Sequence, residues 1–207
     1  MKKIIIPALL ILVLLGCSSE GDIKIINRTD HNLYFTIKGV DYVLAGSESS
    51  DPFQEIEIDT GKQFLFWGDD VTKVHMAMEG ETFMMQDSYS SGLPNGLYHT
   101  ETYLYVKPDE TTKIYCSATH AGVKVINNSA ETVQYLQYFT DDSDTLKTLN
   151  DSPIFGGEEF WSRLKATSDY DSITYSFVIQ FADGSVDSTY SNIDDLVVDE
   201  QLLIELN

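Results

Sequence analysis

Ile23-Lys24-Ile25-Ile26-Asn27 and Val123-Lys124-Val125-Ile126-Asn127 are one pattern written twice, at an offset of 100 residues. In each copy an apolar, β-branched residue alternates with lysine, which is the period of a half-buried strand. The correspondence continues beyond these five positions. Thr29 matches Ser129 and Leu33 matches Val133; Val71-Thr72 matches Ile173-Thr174 at an offset of 102, Glu79-Gly80 matches Asp183-Gly184 at 104, and Asp109-Glu110 matches Asp199-Glu200 at 90. An ordered series of matches at nearly constant spacing marks a duplicated unit. The pattern predicts an all-β chain of two tandem, related antiparallel β-sandwich (Ig-like) domains, residues 23–118 and 123–207, joined by a linker at 119–122. The alternative is one larger sandwich with internal pseudo-symmetry.

The stretches between the matches read the same way. Leu33 to Ile37 is β-branched and aromatic, and Ile56-Glu57-Ile58 alternates. Asp59-Thr60-Gly61 is a turn signal before Gln63-Phe64-Leu65-Phe66-Trp67, and Gly68-Asp69-Asp70 breaks the chain before a strand over Val71 to Met78. Glu79-Gly80 reads as a hairpin turn, with further strands at Tyr103 to Val106 and Thr112 to Ser117. No stretch sustains a helical period. Short strands punctuated by turns suit a sandwich, each copy is long enough for its own core, and so short a linker makes the two units touch.

The offset falls from 104 at the hairpin turn to 90 at the last strand, so the first copy carries 14 extra residues between them, within Met84 to Thr102. Loops of this length in compact domains are commonly functional. The segment mixes Tyr, Ser, Gly and Asn, a composition favoured in binding loops, and Tyr89, Asn95, Tyr98 and His99 are its candidate ligand-binding residues. The competing reading is a hairpin or lid over one end of the sandwich.

The amino end has a different character. Lys2-Lys3 precede an apolar run from Ile4 to Leu15 that contains Pro7 and leads into Leu14-Leu15-Gly16-Cys17. Twelve residues are too few for a spanning helix, which needs about 20. These residues resemble a bacterial lipoprotein signal peptide with its lipobox. The alternatives are an ordinary secretory signal and a short membrane helix. The resemblance covers about the first 20 residues. It implies that the Cys17 thiol receives a diacylglyceryl group, that a peptidase removes residues 1–16, and that the new amine is acylated, leaving 17–22 as a tether. Two or three palmitate-type chains hold a protein far more firmly than one. The implied location is a cell membrane, or, in a Gram-negative host, the outer membrane on its periplasmic or surface side, because Ser18 rather than Asp follows the cysteine. Ser18-Ser19-Glu20-Gly21-Asp22 also resembles the acidic export tags of some surface lipoproteins.

Composition narrows the partners. Apolar residues make up 43% of the chain and aromatics 12%, which suits a packed core. The net charge is −20; without Lys2 and Lys3, 11 basic residues face 33 acidic ones, giving −22. Such a field repels nucleic acid and anionic headgroups, so no nucleic-acid partner is expected. If Cys17 carries lipid, Cys116 has no intramolecular partner and reads as a buried thiol acting as a small apolar residue.

The chain holds no Gly-x-Ser-x-Gly elbow, no phosphate-cradling glycine loop and no His-Glu-x-x-His pair. His31, His75, His99 and His120 are scattered, and Asp141-Asp142-Ser143-Asp144 lacks the glycine and the distal glutamate of an EF-hand loop, so it reads as a solvated turn. Trp67, Phe160, Trp161 and Tyr170 suit a sugar-stacking platform or, more ordinarily, cross-strand packing. Adjacent strand residues point to opposite faces, so one of Phe160 and Trp161 faces outward. The sequence predicts a non-enzymatic, lipid-anchored envelope protein that binds a protein or glycan, with no metal or cofactor. The alternatives are a structural accessory subunit of an envelope assembly and a hydrolase without a recognisable motif.

Overall fold

The computed structural model describes residues 18–47, 50–62, 71–88, 91, 94–168 and 171–207. Among them every regular element is a strand, so the chain is all-β. The first half contains β1 (Ser18–Asn27), β2 (Leu33–Ile37), β3 (Val40–Leu44), β4 (Phe53–Lys62), β5 (Thr72–Gly80), β6 (Met85–Ser88), β7 (Pro94–His99), β8 (Glu101–Val106) and β9 (Thr111–Cys116). The second contains β10 (Ala121–Asn127), β11 (Val133–Thr140), β12 (Ser143–Thr148), β13 (Glu159–Leu164), β14 (Tyr175–Phe181), β15 (Val186–Asp187) and β16 (Gln201–Leu206).

The halves correspond strand for strand once the β6–β7 pair is set aside. In the first, a three-stranded sheet β4-β1-β9 accompanies a four-stranded sheet β3-β2-β5-β8; in the second, β13-β10-β16 accompanies β12-β11-β14-β15. β1 runs antiparallel to β4 and parallel to β9, and β10 treats β13 and β16 in the same way. This order corrects the expected Ig-like arrangement. An Ig sheet groups the first, second, fourth and fifth strands, whereas here the first strand joins the fourth and the last. Alternation in sequence specifies which face of a strand is buried, not which neighbour takes its edge.

Period-2 patterning accounts for both cores. Ile23 and Ile25 of β1 pack in one cluster with Leu33, Phe35 and Ile37 of β2 and Met76 and Met78 of β5. Val123 and Val125 of β10 pack in another with Leu136, Phe177, Ile179 and Ile204. The inward row continues to Asn27 and Asn127, both wholly buried. Asn27 Nδ2 donates to His31 O (2.8 Å) and Ala45 O (2.9 Å), while its Oδ1 accepts from Thr29 N and Thr29 Oγ1 (3.0 Å each). Asn127 repeats the device with Glu131 O (2.8 Å), Ile154 O (3.1 Å), Ser129 N (3.2 Å) and Ser129 Oγ (2.7 Å). A buried amide has to be satisfied, and here it closes the bend from the first strand to the second. The bends into the last strands match as well: Asp109 (φ 57°) and Asp199 (φ 72°) are both left-handed, which Asp tolerates better than most residues.

Three expectations are revised. Residues 18–22 of the expected tether belong to β1, with Asp22 paired to Glu57 and Ser19 Oγ 2.9 Å from Thr60 Oγ1; backbone pairing orders a stretch whose side chains carry no apolar period. Gly80 is the last residue of β5 opposite Leu33, the place taken by Phe181 opposite Val133, so Glu79-Gly80 and Asp183-Gly184 are not equivalent turns. Asp183-Gly184 lies beyond the strand, in the β14–β15 turn, where Gly184 has φ 91°. Met84–Thr102 is not an open loop either: β6 and β7 form a two-stranded antiparallel hairpin, and β8 has begun by Glu101. Cys17, Tyr89, the strand expected at 63–67 with Trp67, and Tyr170 lie outside the described residues.

Candidate functional site: the cleft at the junction

A tight turn after β5 lies at the centre of the contact between the two halves. Gly80 N donates to Phe83 O at the end of β5 (2.9 Å), and the turn carries Glu81 and Thr82 onto the outer face of the β13-β10-β16 sheet. Gly122 leaves room for it: a Cβ there would lie 3.1 Å from Glu81 O and 3.4 Å from Thr82 Cγ2. Glu81 is 2% exposed. Its Oε1 accepts from Tyr34 Oη (3.0 Å) and Asn32 Nδ2 (3.2 Å), its Oε2 accepts from Gln201 Nε2 (2.9 Å), and Lys124 Nζ stands 3.7 Å away. Burial alone would lower the Lys124 ammonium. The hydrogen bond to Glu159 (2.9 Å) and the charge of Glu81 outweigh it and hold the group above its ordinary pKa.

Further contacts fix the orientation of this turn. Arg163 donates from Nη1 to Gly80 O (3.0 Å) and from Nη2 to Glu79 Oε2 (3.1 Å). Trp161 faces outward and stacks on Tyr34 with ring centres 5.5 Å apart and planes 5° from parallel, while its neighbour Phe160 packs on the second core. Asp199 accepts from Thr82 Oγ1 (2.7 Å) and Asp30 N (3.0 Å), and its carbonyl lies 2.8 Å from His31 Nε2. Burial, ahead of the charge on Glu81, pushes the Tyr34 phenol up.

Beside this junction lies an open cleft of about 810 Å³. The β6–β7 hairpin supplies Met84, Gly96 and Tyr98, the linker supplies Thr119 and His120, and the far wall is the end of β13 with residues 165–168. Linker and hairpin are tied together: Met84 N donates to Thr119 Oγ1 (3.0 Å), Thr119 Oγ1 lies 2.8 Å from His120 Nδ1, and the His120 ring sits 4.7 Å from that of Tyr98. Burial, and after it the charge of Arg163, pushes the His120 imidazole below its ordinary pKa. The cleft is lined by Arg163, Lys165, His120 and the hydroxyl groups of Thr119, Ser162, Thr167 and Ser168, and by no Asp or Glu. Both cations have acidic partners outside the lining, Arg163 with Glu79 and Lys165 with Asp171. A smaller hollow of about 350 Å³ on the outer face of β3-β2-β5-β8 has Asp41, Glu79 and Glu101 in its walls.

Of the residues singled out from sequence, Tyr98 is placed in the cleft, 40% exposed, with its hydroxyl accepting from Gln86 Nε2 (3.2 Å). Asn95 Oδ1 instead caps Leu97 N (2.9 Å) within the hairpin, and His99 Nδ1 turns to Asp87 Oδ1 (3.4 Å). Sequence reasoning passed over Thr119, His120, Arg163 and Lys165. The usable signal was the scarcity of basic residues, which makes two cations at neighbouring positions 163 and 165 uncommon in this chain. Cys116 is buried with Sγ 3.4 Å from Met78 Sδ, and burial pushes its thiol up to about 12. Asp141 and Asp142 form the β11–β12 turn. Among the described residues no three His, Cys, Asp or Glu side chains converge as a metal site.

No family of related sequences matches the chain, and no curated protein resembles it in sequence. Solved structures with similar elements include the TIE protein of Bacillus anthracis (9% identity, TM-score 0.28, 90% of this chain and 33% of that one), the major pilin T3.2 of Streptococcus pyogenes (10%, 0.26, 92% and 98%) and a DUF3823 family protein of Bacteroides ovatus (7%, 0.23, 87% and 100%). The chain spans a third of the length of the TIE protein.

Proposed function

We propose that this chain is a bacterial envelope lipoprotein, anchored by acyl chains on Cys17, whose two tandem and related β-sandwich units act as a non-enzymatic binding module. The observation that carries the reading is the join between anchor and fold. Leu14-Leu15-Gly16-Cys17 ends the apolar leader, and β1 begins at the next residue, Ser18. An acylated Cys17 then has no slack, and the pole of the first unit that holds Ser18, Lys62 and Thr72 rests near the headgroups. β1 and β5 run from that pole toward the junction. At about 3.3 Å per residue, the ten residues of β1 stand the junction cleft roughly 30 Å above the lipid. A fixed, rigidly presented cleft raises the effective concentration of its ligand-binding surface at the membrane.

The test is detergent phase partitioning of the full-length protein and of Cys17→Ser, with incorporation of labelled palmitate followed alongside. The parent enters the detergent phase and carries label, whereas Cys17→Ser stays aqueous or retains its leader. Equal partitioning and equal labelling of the two would refute the anchor.

A further inference from the structure

We propose that His120 is an acid-sensitive latch for the β6–β7 hairpin. Its neutral ring holds the hairpin to the linker through Thr119 and Tyr98; protonation of the ring releases the hairpin and opens the wall of the junction cleft that Met84, Gly96 and Tyr98 form. The inference gives the regulation of that cleft and rests on the binding-module reading only for the use to which the cleft is put.

The first support is how little else holds the hairpin. β6 and β7 pair with each other and join no other sheet. Their root is tied to the first unit by the bridge between Glu79 and Met84 and by Met85, which packs on the first core. Toward the linker, two ties are seen among the described residues. Met84 N donates to Thr119 Oγ1 (3.0 Å), and the Tyr98 ring lies 4.7 Å from that of His120. His120 does not follow the hairpin, because its backbone is fixed at the junction: His120 N donates to Thr82 O (3.0 Å), and Asp199 N donates to His120 O (3.0 Å).

The second support is the direction of the hydrogen bonds. Thr119 Oγ1 accepts from Met84 N, which leaves its own proton for His120 Nδ1, 2.8 Å away. That bond needs a bare Nδ1. An imidazolium donates from both nitrogens; it competes with Met84 N for the same oxygen and leaves the Thr119 hydroxyl without its acceptor. The surroundings give the added charge no partner. His75 and His99 each have a carboxylate at 3.4 Å, Glu101 and Asp87, whereas among the described residues none pairs with the His120 ring. The charged and titratable groups on the elements around it are already engaged. Arg163 is bound to Glu79 and Lys165 to Asp171; Asp199 accepts from Thr82 and Asp30, Glu200 from Val197 N, and Glu81 from Tyr34, Asn32 and Gln201. The Tyr98 ring favours a cation, but burial, and after it the charge of Arg163, pushes the other way and holds the imidazole below its ordinary 6.5. The latch is therefore complete above about pH 6.5 and weakens as pH falls toward the latched pKa.

Hydrogen exchange at the Met84 amide is followed by NMR in the full-length protein in detergent, from about pH 8 to about pH 5, with each rate divided by the intrinsic rate at that pH. Met84 protection in the parent is expected to fall by about tenfold for each unit that separates the latched pKa from 6.5, while the His120 ring protons lose the shift imposed by the Tyr98 ring. Protection in β1 and β10 stays unchanged, which separates release of the hairpin from unfolding. In His120→Asn the side-chain oxygen takes the place of Nδ1 and does not titrate, so Met84 stays protected throughout. In Thr119→Val the acceptor is gone and Met84 exchanges fast at every pH. Thr119→Ser keeps the hydroxyl and has to restore the behaviour of the parent, which covers the case in which the valine also disturbs the junction. Met84 protection that is flat across the range in the parent, or that falls equally in His120→Asn, overturns the proposal, as does failure of the serine to restore it. A hairpin indifferent to pH leaves the binding-module reading in place, and the Cys17 partitioning result is independent of both.

Discussion

Glu81→Ala should loosen the junction while sparing both cores. Glu81 accepts three hydrogen bonds across or beside the junction, from Tyr34 Oη, Asn32 Nδ2 and Gln201 Nε2, and is 2% exposed. Each bond lost is worth about 1 kcal/mol net, and more where the donor stays buried without a partner. Lys124 is not orphaned, because Glu159 remains 2.9 Å away and the lysine side chain is 18% exposed. The sum is about 3 kcal/mol, the low end of the roughly 3–5 kcal/mol for breaking a buried ion pair. Glu81→Gln keeps the volume and one carbonyl, and the Gln201 amide can turn its oxygen toward the new NH₂, so its cost should be nearer 1 kcal/mol. Urea unfolding of the full chain reads the effect, with limited proteolysis at 119–122 reporting junction opening. The expected order of stability is parent, Glu81→Gln, Glu81→Ala, with linker cleavage rising in the same order. A Glu81→Ala midpoint equivalent to less than about 0.5 kcal/mol of loss would refute the argument, since surface substitutions alone reach that. Equal losses in both variants would shift the weight from the hydrogen bonds to the charge facing Lys124.

Three further outcomes are expected. Asn27→Ala removes the partner of the buried Thr29 N and one donor to the buried Leu44 O, and should cost about 2–4 kcal/mol in urea unfolding; Asn127→Ala should cost about 1–2 kcal/mol, because Ile154 O keeps its bond from Val133 N and the Ser129 N and Glu131 O sites are part-exposed, with hydrogen exchange rising first in the half that carries the change; uniform exchange would show that the halves do not unfold separately. The folded-state pKa of His120 lies below its ordinary value of 6.5, so the fold favours the neutral ring: the stabilisation is complete above about pH 6.5 and is lost as pH falls toward the folded pKa. His120→Asn should flatten that limb of the stability profile, and an NMR titration of His120 with a midpoint at or above 6.5 would contradict it. Cys116, buried and raised to about 12, should resist iodoacetamide at pH 8 in the native protein and react in urea; rapid native alkylation would place it elsewhere.

The repeat was legible because its most constrained positions are also its most regular. Ile23, Ile25 and Asn27 share one face with period 2, as do Val123, Val125 and Asn127, and that register survives wherever one face is buried. The asparagines and the left-handed Asp109 and Asp199 recur because a buried bend and a tight turn each accept few residues. Strand order was not legible: the parallel neighbours β1 and β9 are separated by nearly the whole first half, and nothing local encodes that pairing. Between a binding loop and the competing hairpin the composition did not decide, because polar, turn-rich sequence suits both and the structure has the hairpin; the tether was misread because β1 is ordered there by backbone pairing and the Ser19–Thr60 hydroxyl contacts, with no apolar period to show it. The cleft was least legible. It gathers the hairpin, the linker and β13 from distant parts of the chain, and of the individual candidate residues that are described, Asn95, Tyr98 and His99, Tyr98 alone lines it.

The junction itself is the repeat put to unequal use. Asp109 N bonds Glu20 O (2.8 Å), and Asp199 N bonds His120 O (3.0 Å), so the pole of the first unit near Ser18 and the pole of the second unit at the junction are built alike. In the second unit that pole has been adapted to receive protein. Gly122 stands where the first unit has Asp22, His120 where it has Glu20, and Asp199 takes hydrogen bonds from Thr82 and Asp30. In the first unit the pole keeps its acids: the charge of Glu57, ahead of Asp59 and Asp22, pushes the exposed Glu20 carboxyl up. Crowded carboxylates of that kind neither pack against a protein turn nor adhere to anionic headgroups. On the proposed anchor, then, the lipid on Cys17 has to hold this pole at the membrane covalently. The surface repels where the chain attaches, and the junction cleft opens at the far end of β1.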